Sequence, residues 1–99
     1  MVSTGGTSLK DDVFRLMSTV HIVIGTPGRI HDIAKKEIVK LNECNIVVLD
    51  EVDKLLSRDF EEVVSAIIEC SPQDRQIMLF SATYPISVEG FLKKHVPQP

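Results

Sequence analysis

Three short apolar runs set the strongest constraint on how this chain folds. They are HIVIGT at 21–26, NIVVLD at 45–50 and QIMLFS at 76–81. The runs are continuous rather than alternating, and β-branched residues are frequent in them. These features are typical of strands that are buried on both faces, as in a parallel sheet. The sequence therefore predicts three parallel strands with both faces covered.

Segments with helical periodicity separate these strands. The clearest has an apolar stripe at the spacing i, i+3, i+4, i+7 and i+8, made of Phe60, Val63, Val64, Ile67 and Ile68. Asp59 followed by Glu62 resembles a capping box at the start of this helix, and Pro72 follows its end.

Shorter apolar stripes predict three more helices. The first begins after Thr7 or Ser8, either of which is a good N-cap. Pro27 suits the first turn of the second helix, and the third follows Pro85. Helices and strands then alternate along the whole chain. Such alternation predicts an α/β fold of right-handed βαβ units, with a parallel sheet between helices.

A polar cluster follows each strand: TPGR after the first, DEVD after the second and SAT after the third. The carboxyl ends of parallel strands meet at one edge of the sheet, where open α/β sheets bind their ligands. We therefore expect the three clusters to lie on the same edge.

An apolar strand that ends in Asp50-Glu51 has the layout of a Walker-B element. Asp50 would help to hold Mg²⁺ through water, and Glu51 would orient or activate the water that attacks a γ-phosphate. The alternative is an acidic turn that begins a helix, where negative charge suits the helix dipole.

Two further clusters suit backbone and hydroxyl contacts. The glycines of TGGT at 4–7 allow a ligand to approach the backbone, and the helix start at TPGR offers N–H groups to a phosphate, with Arg29 adding a charge. Ser81 and Thr83 are placed to hydrogen-bond a carboxylate such as Asp53. The alternatives are a glycine turn, an ordinary helix start and a plain helix cap.

Bulk composition excludes several classes of protein. A chain of 99 residues is one small domain or a piece of a larger one, and a net charge of −3 gives no sign of a basic nucleic-acid binder. Cys44 and Cys70 lie far apart, which indicates neither a disulfide framework nor a zinc site and suits a reducing, intracellular compartment. No secretory signal is evident, and no apolar stretch approaches the roughly 20 residues that span a bilayer.

Taken together and in this order, the clusters resemble the first RecA-like domain of a DEAD-box RNA helicase. Gly5-Gly6 match the GG motif of that family, and 26–29 match motif Ib. Residues 50–53 match motif II, as DEVD, and 81–83 match motif III. The resemblance covers nearly the whole chain. It implies that residues 1–99 are a fragment of the N-terminal RecA-like domain, a parallel sheet with helices on both faces.

The resemblance also implies roles for single residues. Asp50 would bind Mg²⁺–ATP and Glu51 would serve hydrolysis, while Asp53, Ser81 and Thr83 would link hydrolysis to strand separation. The RNA sugar-phosphate backbone would be contacted by Gly5, Gly6, Thr26, Pro27, Gly28 and Arg29. RNA would be bent between this domain and a second RecA-like domain of the parent chain.

Within the family, TGGTSLKDDVFRL and RQIMLFSATYP are most similar to the cytoplasmic helicases of mRNA decay and translational repression found in P-bodies. The cap-complex initiation helicase has similar motifs. Partners would therefore include mRNA-decay or translation-repression proteins, and no membrane.

Two departures from the family pattern matter. Val52 replaces the usual alanine of motif II, and it would displace the flanking acids slightly if the pocket is tight. The chain also has no G-x-x-x-x-G-K-[ST] loop to hold the β- and γ-phosphates. We therefore expect the chain alone to be inactive. Because the phosphate-loop strand would lie within the sheet, we also expect exposed apolar surface and self-association.

Three functions remain open at the level of sequence. The chain is part of an ATP-dependent RNA helicase, or a non-catalytic RNA- or protein-binding remnant of one. The third is a Mg²⁺-dependent phosphotransfer or receiver-type domain that uses the acids alone, for which GG and SAT would be coincidental.

Overall fold

The computed structural model describes residues 1–6, 8–57 and 60–96. In chain order its elements are β1 (Val2–Ser3), α1 (Leu9–Leu16), β2 (Ile24–Gly25), α2 (Pro27–Lys35), a 3-10 helix at Leu41–Glu43, β3 (Ile46–Asp50), α3 (Val52–Ser57), α4 (Glu61–Cys70), β4 (Gln76–Phe80) and α5 (Ile86–His95). The four predicted helices are α1, α2, α4 and α5. Sequence reasoning missed β1 and α3, which are among the shortest elements of the fold.

The described strands form two parallel pairs. β1 pairs with β2, with Val2 opposite Ile24 and Ser3 opposite Gly25. β3 pairs with β4 over five positions, from Ile46 opposite Gln76 to Asp50 opposite Phe80. The predicted strand at 21–26 is therefore shortened to the two residues that have a partner. The predicted α/β fold with parallel strands is confirmed.

One face of the β3–β4 sheet carries the main core. The odd-numbered strand residues face α3, α4 and α5, and the buried cluster consists of Leu49, Val52, Leu56, Val64, Ile68, Val88 and Phe91. Val47, Ile77 and Leu79 pack against this cluster from the same face of the strands. Removal of these side chains from water supplies most of the driving force for folding here, at roughly 25 cal/mol per Å² of apolar surface.

The opposite face of this sheet is exposed, which corrects the prediction of strands buried on both faces. Ile46, Val48, Met78 and Phe80 are 54%, 53%, 37% and 54% exposed. All four have even numbers, and successive side chains of a strand point to opposite faces. The four therefore form one apolar patch, the even face, that no described residue covers.

The helix starts agree with the predictions only in part. Ser8 caps α1, because its Oγ accepts a hydrogen bond from the backbone N–H of Asp11 at 3.4 Å. The alternative cap, Thr7, lies outside the described residues, as does Asp59 of the predicted capping box. Phe60 precedes α4 and makes no capping hydrogen bond with its side chain.

The C-terminal end of α5 is attached to α4. His95 Nε2 lies 3.0 Å from Ser65 Oγ, and its ring centroid lies 4.6 Å from that of Phe91. Burial lowers the pKa of His95 from its ordinary value, and the charges of Lys94 and Arg75 lower it further. The neutral ring therefore suits this packing site.

No helix within residues 1–6, 8–57 and 60–96 is long and apolar enough to cross a membrane.

The even face leads to a prediction of self-association. Exposed apolar patches with open strand edges favour association between copies. We expect the chain to sediment as more than a monomer, and Val48→Lys to raise the monomer fraction at the same concentration. The thermal unfolding midpoint should change little, because surface substitutions alter stability by only about 0.5 kcal/mol.

Met17→Lys is the matched control, since Met17 is an exposed apolar residue outside both sheets. It should leave the sedimentation profile unchanged. A wild-type chain that is monomeric and melts cooperatively would contradict the prediction.

Candidate functional site

A cleft of about 740 Å³ brings three of the predicted clusters together. Its lining includes Gly5 of the GG pair, Asp50 and Glu51 of DEVD, and all four residues of TPGR, namely Thr26, Pro27, Gly28 and Arg29. Asp32 and Lys54 also line it and were not singled out from the sequence. Ligand pockets commonly measure about 300–1,000 Å³, so the cleft is large enough for a nucleotide-sized group.

The TPGR segment places the N-terminus of α2 in this cleft. Thr26 is the N-cap and Pro27 the first helical residue, as the sequence predicts, although the Thr26 side chain makes no capping hydrogen bond. The first turn of a helix presents backbone N–H groups that intrahelical carbonyls do not reach. A Cβ at Gly28 would meet no atom within 4 Å, so a ligand can approach the backbone there.

Gly25 is a second glycine with a structural requirement, and sequence reasoning missed it. A Cβ at Gly25 would collide with the carbonyl oxygen of Ser3 and with the side chain of Ile30. Its absence allows β1, β2 and α2 to pack closely, and this packing brings GG next to TPGR. An isolated glycine in a strand pattern is the sequence signal for such a close approach.

A buried ion pair joins α1 to α2 and, through a hydrogen bond from Ser3, to β1. Arg29 Nη1 donates to Asp12 Oδ2 at 2.7 Å, and Ser3 Oγ donates to the same oxygen at 2.7 Å. The side chain of Asp12 is 0% exposed and that of Arg29 is 13% exposed. Sequence reasoning missed Asp12, because neighbouring Asp11 has the same chemistry and yet is exposed.

The three carboxylates of DEVD have different partners. The backbone N–H of Glu51 donates to Asp50 Oδ1 at 2.9 Å, and the Glu51 carboxylate lies 3.3 Å from Lys54 Nζ. Glu51 has φ 53°, in the left-handed region. A non-glycine residue there costs on the order of 1–3 kcal/mol, and such strain is often found at functional sites.

Asp53 points instead to the SAT segment, as the sequence predicts. Thr83 Oγ1 donates to Asp53 Oδ2 at 2.9 Å, and Ser81 Oγ donates to the Thr83 carbonyl at 2.6 Å. The hydrogen bond from Thr83 lowers the pKa of Asp53, Ser81 contributes less, and desolvation opposes both.

Val52, which precedes Asp53, is fully buried among Leu49, Leu56 and the other core residues. The core thus has room for the two methyl groups by which valine exceeds the alanine usual at this position. Valine at position 52 does not prevent the hydrogen bond between Thr83 and Asp53.

The donor set suits a water-mediated metal ion rather than a protein cage. Among the described residues, no group of three or more His, Cys, Asp or Glu side chains is arranged to hold a metal. Mg²⁺ commonly binds through one or two carboxylates while keeping waters and contacting phosphates. The exposed Asp50 carboxylate at the cleft fits that mode.

The parallel α/β fold, with its polar clusters at one sheet edge, is that of a RecA-like domain, and comparison with known proteins identifies its family. The sequence model of the DEAD/DEAH box helicase family matches residues 1–91. The chain therefore belongs to the DEAD/DEAH box helicase family. The receiver-type alternative is set aside on this ground.

Individual relatives and solved structures agree with this placement. The chain is 52% identical to the ATP-dependent RNA helicase DHH1 of Candida albicans and 54% identical to that of Coccidioides immitis, over all 99 residues. It spans 18% and 19% of those two proteins. A DEAD box protein from the hyperthermophile Methanococcus jannaschii superposes with a TM-score of 0.86 at 31% identity, over 95% of this chain and 26% of that one. The RecA-like fold class is thus confirmed.

The contact between Thr83 and Asp53 gives a prediction about titration. Thr83→Val removes the main hydrogen bond that favours the ionised carboxylate, so the pKa of Asp53 should rise toward its ordinary value. A lowered pKa in the folded state stabilises that state above about pH 4, the unfolded value, and the benefit is lost as the pH falls through the folded value. A carboxylate ¹³C NMR titration of Asp53 measures the shift.

Thr83→Ser is the matched control, because it keeps the hydroxyl and should leave the titration near wild type. An identical Asp53 titration in Thr83→Val and wild type would show that this hydrogen bond is not the cause.

Proposed function

We propose that this chain is part of the first RecA-like domain of an ATP-dependent RNA helicase. The parent protein would couple ATP hydrolysis to RNA unwinding or ribonucleoprotein remodelling. The observation that carries the proposal is the cleft that Gly5, TPGR and Asp50-Glu51 line together. Family membership and relatives named ATP-dependent RNA helicase support it.

On the nucleotide side, Asp50 would hold Mg²⁺ through water and Glu51 would position the attacking water. ATP with Mg²⁺ would supply the phosphoanhydride bond and the charge that screens its oxygens. The ion pair between Glu51 and Lys54 is exposed on both sides, at 65% and 62%. Such a pair contributes little stability, so the Glu51 carboxylate is readily released for a ligand.

On the coupling side, Asp53 connects α3 to the segment after β4 through Thr83. Asp53 lies in the first turn of α3, and Thr83, 30 positions further along the chain, lies in the segment after β4. We infer that movement of the DEVD segment on hydrolysis is passed to SAT by this hydrogen bond, with Ser81 holding the Thr83 carbonyl.

On the RNA side, the contacts would be to the sugar-phosphate backbone. Gly5, Gly6, Thr26, Pro27, Gly28 and Arg29 would form this surface. Five of these six residues line the cleft; Gly6 does not, and its N–H donates to Thr4 Oγ1 at 3.2 Å. Backbone N–H groups at a helix start bind phosphates without reading base sequence.

The cellular setting is part of the proposal. Similarity to helicases of mRNA decay and translational repression favours a role in those processes, in the cytoplasm and in P-bodies. The second RecA-like domain of the parent chain and proteins of mRNA decay or repression would be the partners. The proposal rests on the segments TGGTSLKDDVFRL and RQIMLFSATYP and on relatives named DHH1.

The isolated chain should lack catalysis. Its sequence has no Gly-Lys phosphate loop, so the β- and γ-phosphates would have no cradle. We expect no RNA-stimulated phosphate release above the background of a Glu51→Gln preparation, measured with a coupled phosphate assay. Turnover by the wild-type chain that Glu51→Gln abolishes would defeat this expectation.

A second candidate function is a non-catalytic RNA-binding module. The TPGR helix start lies in an open cleft, and its backbone N–H groups favour binding of a phosphate without requiring turnover. Such a module would bind single-stranded RNA in a salt-sensitive manner, and added nucleotide would not change the affinity.

Gly28→Ala tests the RNA side without harming the fold. The new methyl group meets no atom of the chain, and alanine in place of glycine favours a helix by up to about 1 kcal/mol. It should nevertheless weaken RNA binding several-fold, because it occupies the space through which a phosphate approaches. Fluorescence anisotropy with a labelled oligouridylate measures the affinity.

Gly90→Ala is the matched control: Gly90 lies in α5, and its Cβ also meets nothing. Equal RNA affinities for the two variants would mean that TPGR is not the RNA site.

A further inference from the structure

Asp12 is the one acidic side chain of the described residues that is wholly buried. Its Oδ2 atom accepts hydrogen bonds from Ser3 Oγ and Arg29 Nη1, both at 2.7 Å. Ser3 belongs to β1, Asp12 to α1 and Arg29 to α2. A single carboxylate thus joins three elements that are otherwise distant in sequence.

This arrangement fixes the guanidinium group of Arg29. A carboxylate away from water is stable only when charge and hydrogen bonds compensate for its lost hydration. Here the compensation includes a charge-assisted contact with a planar donor, which restrains orientation as well as distance. Because Arg29 lines the cleft, its position there depends on Asp12.

Ser3 extends the same linkage to the glycine loop. Its hydroxyl contacts Asp12, its carbonyl accepts the N–H of Thr26 at 3.3 Å, and the loop of residues 4–6 follows it directly. Ser3 is itself 0% exposed. The helix start of α2 and the GG loop are therefore aligned through one buried pair of side chains.

We propose that Asp12 is a positioning residue for binding of the RNA phosphate backbone. Together with Ser3, it holds Arg29 at the cleft and keeps the loop of residues 4–6 in register with the N-terminus of α2. This inference rests on the proposed RNA site and adds to it a residue outside the helicase motifs.

Two explanations predict opposite changes in RNA affinity when the charge of Asp12 is removed. One is simple electrostatic repulsion, and the other is positioning of Arg29. A carboxylate near a polyanion repels it, so neutralising Asp12 would strengthen RNA binding if charge alone mattered. If Asp12 positions Arg29, neutralising it weakens binding although a negative charge is removed. The sign of the change therefore separates the two explanations.

The experiment compares Asp12→Asn with Asp11→Asn in the full 99-residue chain. Both variants remove one negative charge from the first turn of α1, but Asp11 is exposed. Affinity for a fluorescein-labelled oligouridylate is measured by anisotropy over a series of salt concentrations. We expect about tenfold weaker binding for Asp12→Asn, the size of one lost charge-assisted contact, and unchanged or slightly tighter binding for Asp11→Asn.

The salt dependence is the readout that a purely structural role would not change. If Arg29 no longer meets a phosphate, the slope of log affinity against log salt should become shallower by roughly 0.7, the value for one phosphate of a single strand. Ser3→Ala keeps both charges and loses one hydrogen bond to Asp12. It should give a smaller loss of affinity, about threefold, and it replaces Asp12→Asn if circular dichroism shows that the latter is unfolded.

The outcomes distinguish this inference from the function on which it rests. If the unchanged chain binds no RNA, the proposed RNA site falls and the role of Asp12 with it. If the unchanged chain binds RNA and folded Asp12→Asn or Ser3→Ala binds as tightly with the same salt slope, only the positioning role is overturned.

Discussion

The parallel pairing of β3 with β4 is the constraint on which the rest of the structure depends. Asp50 lies opposite Phe80 at the ends of the two strands, so DEVD and SAT leave the sheet at the same edge. Because of this register, Thr83 reaches Asp53 although 30 residues separate them. The odd-numbered side chains of both strands then share one core with α3, α4 and α5. The hydrophobic core and the contact between Thr83 and Asp53 thus both depend on the register of β3 and β4.

The buried pair of Asp12 and Arg29 organises the other half of the molecule. β1 and β2 pair over only two positions, which is too little to align loops by backbone hydrogen bonds alone. Side chains supply the remaining restraint, with Gly25 allowing close approach and Asp12 joining Ser3 to Arg29. The same residues that stabilise this region also shape the wall of the cleft. Stability and binding geometry are therefore linked here.

The uncovered even face of the β3–β4 sheet contradicts the expectation from the apolar runs, although the absence of a phosphate loop from these 99 residues predicts exposed apolar surface. Continuous apolar runs predicted two covered faces, yet Val48 and Phe80 are each about half exposed. The residue types at these positions indicate only that a covered face would be favourable. Whether that face is covered depends on which helices or strands pack against it, and no described residue packs there. The apolar character of that face remains as a surface suited to association.

The sequence by itself predicted the parallel α/β fold and the position of TPGR, DEVD and SAT after strands, and it named Asp53 as a carboxylate within reach of Ser81 and Thr83. Periodicity is a local property that predicts the helices and strands, and the geometry of parallel strands then puts their carboxyl ends at one edge of the sheet. Only the tertiary structure decided that Asp12 rather than Asp11 is buried and that Arg29 is held by it. It also decided that Glu51 has a left-handed backbone and that one sheet face is open. These features depend on packing between elements distant in sequence, because identical side chains acquire different roles only when their surroundings differ.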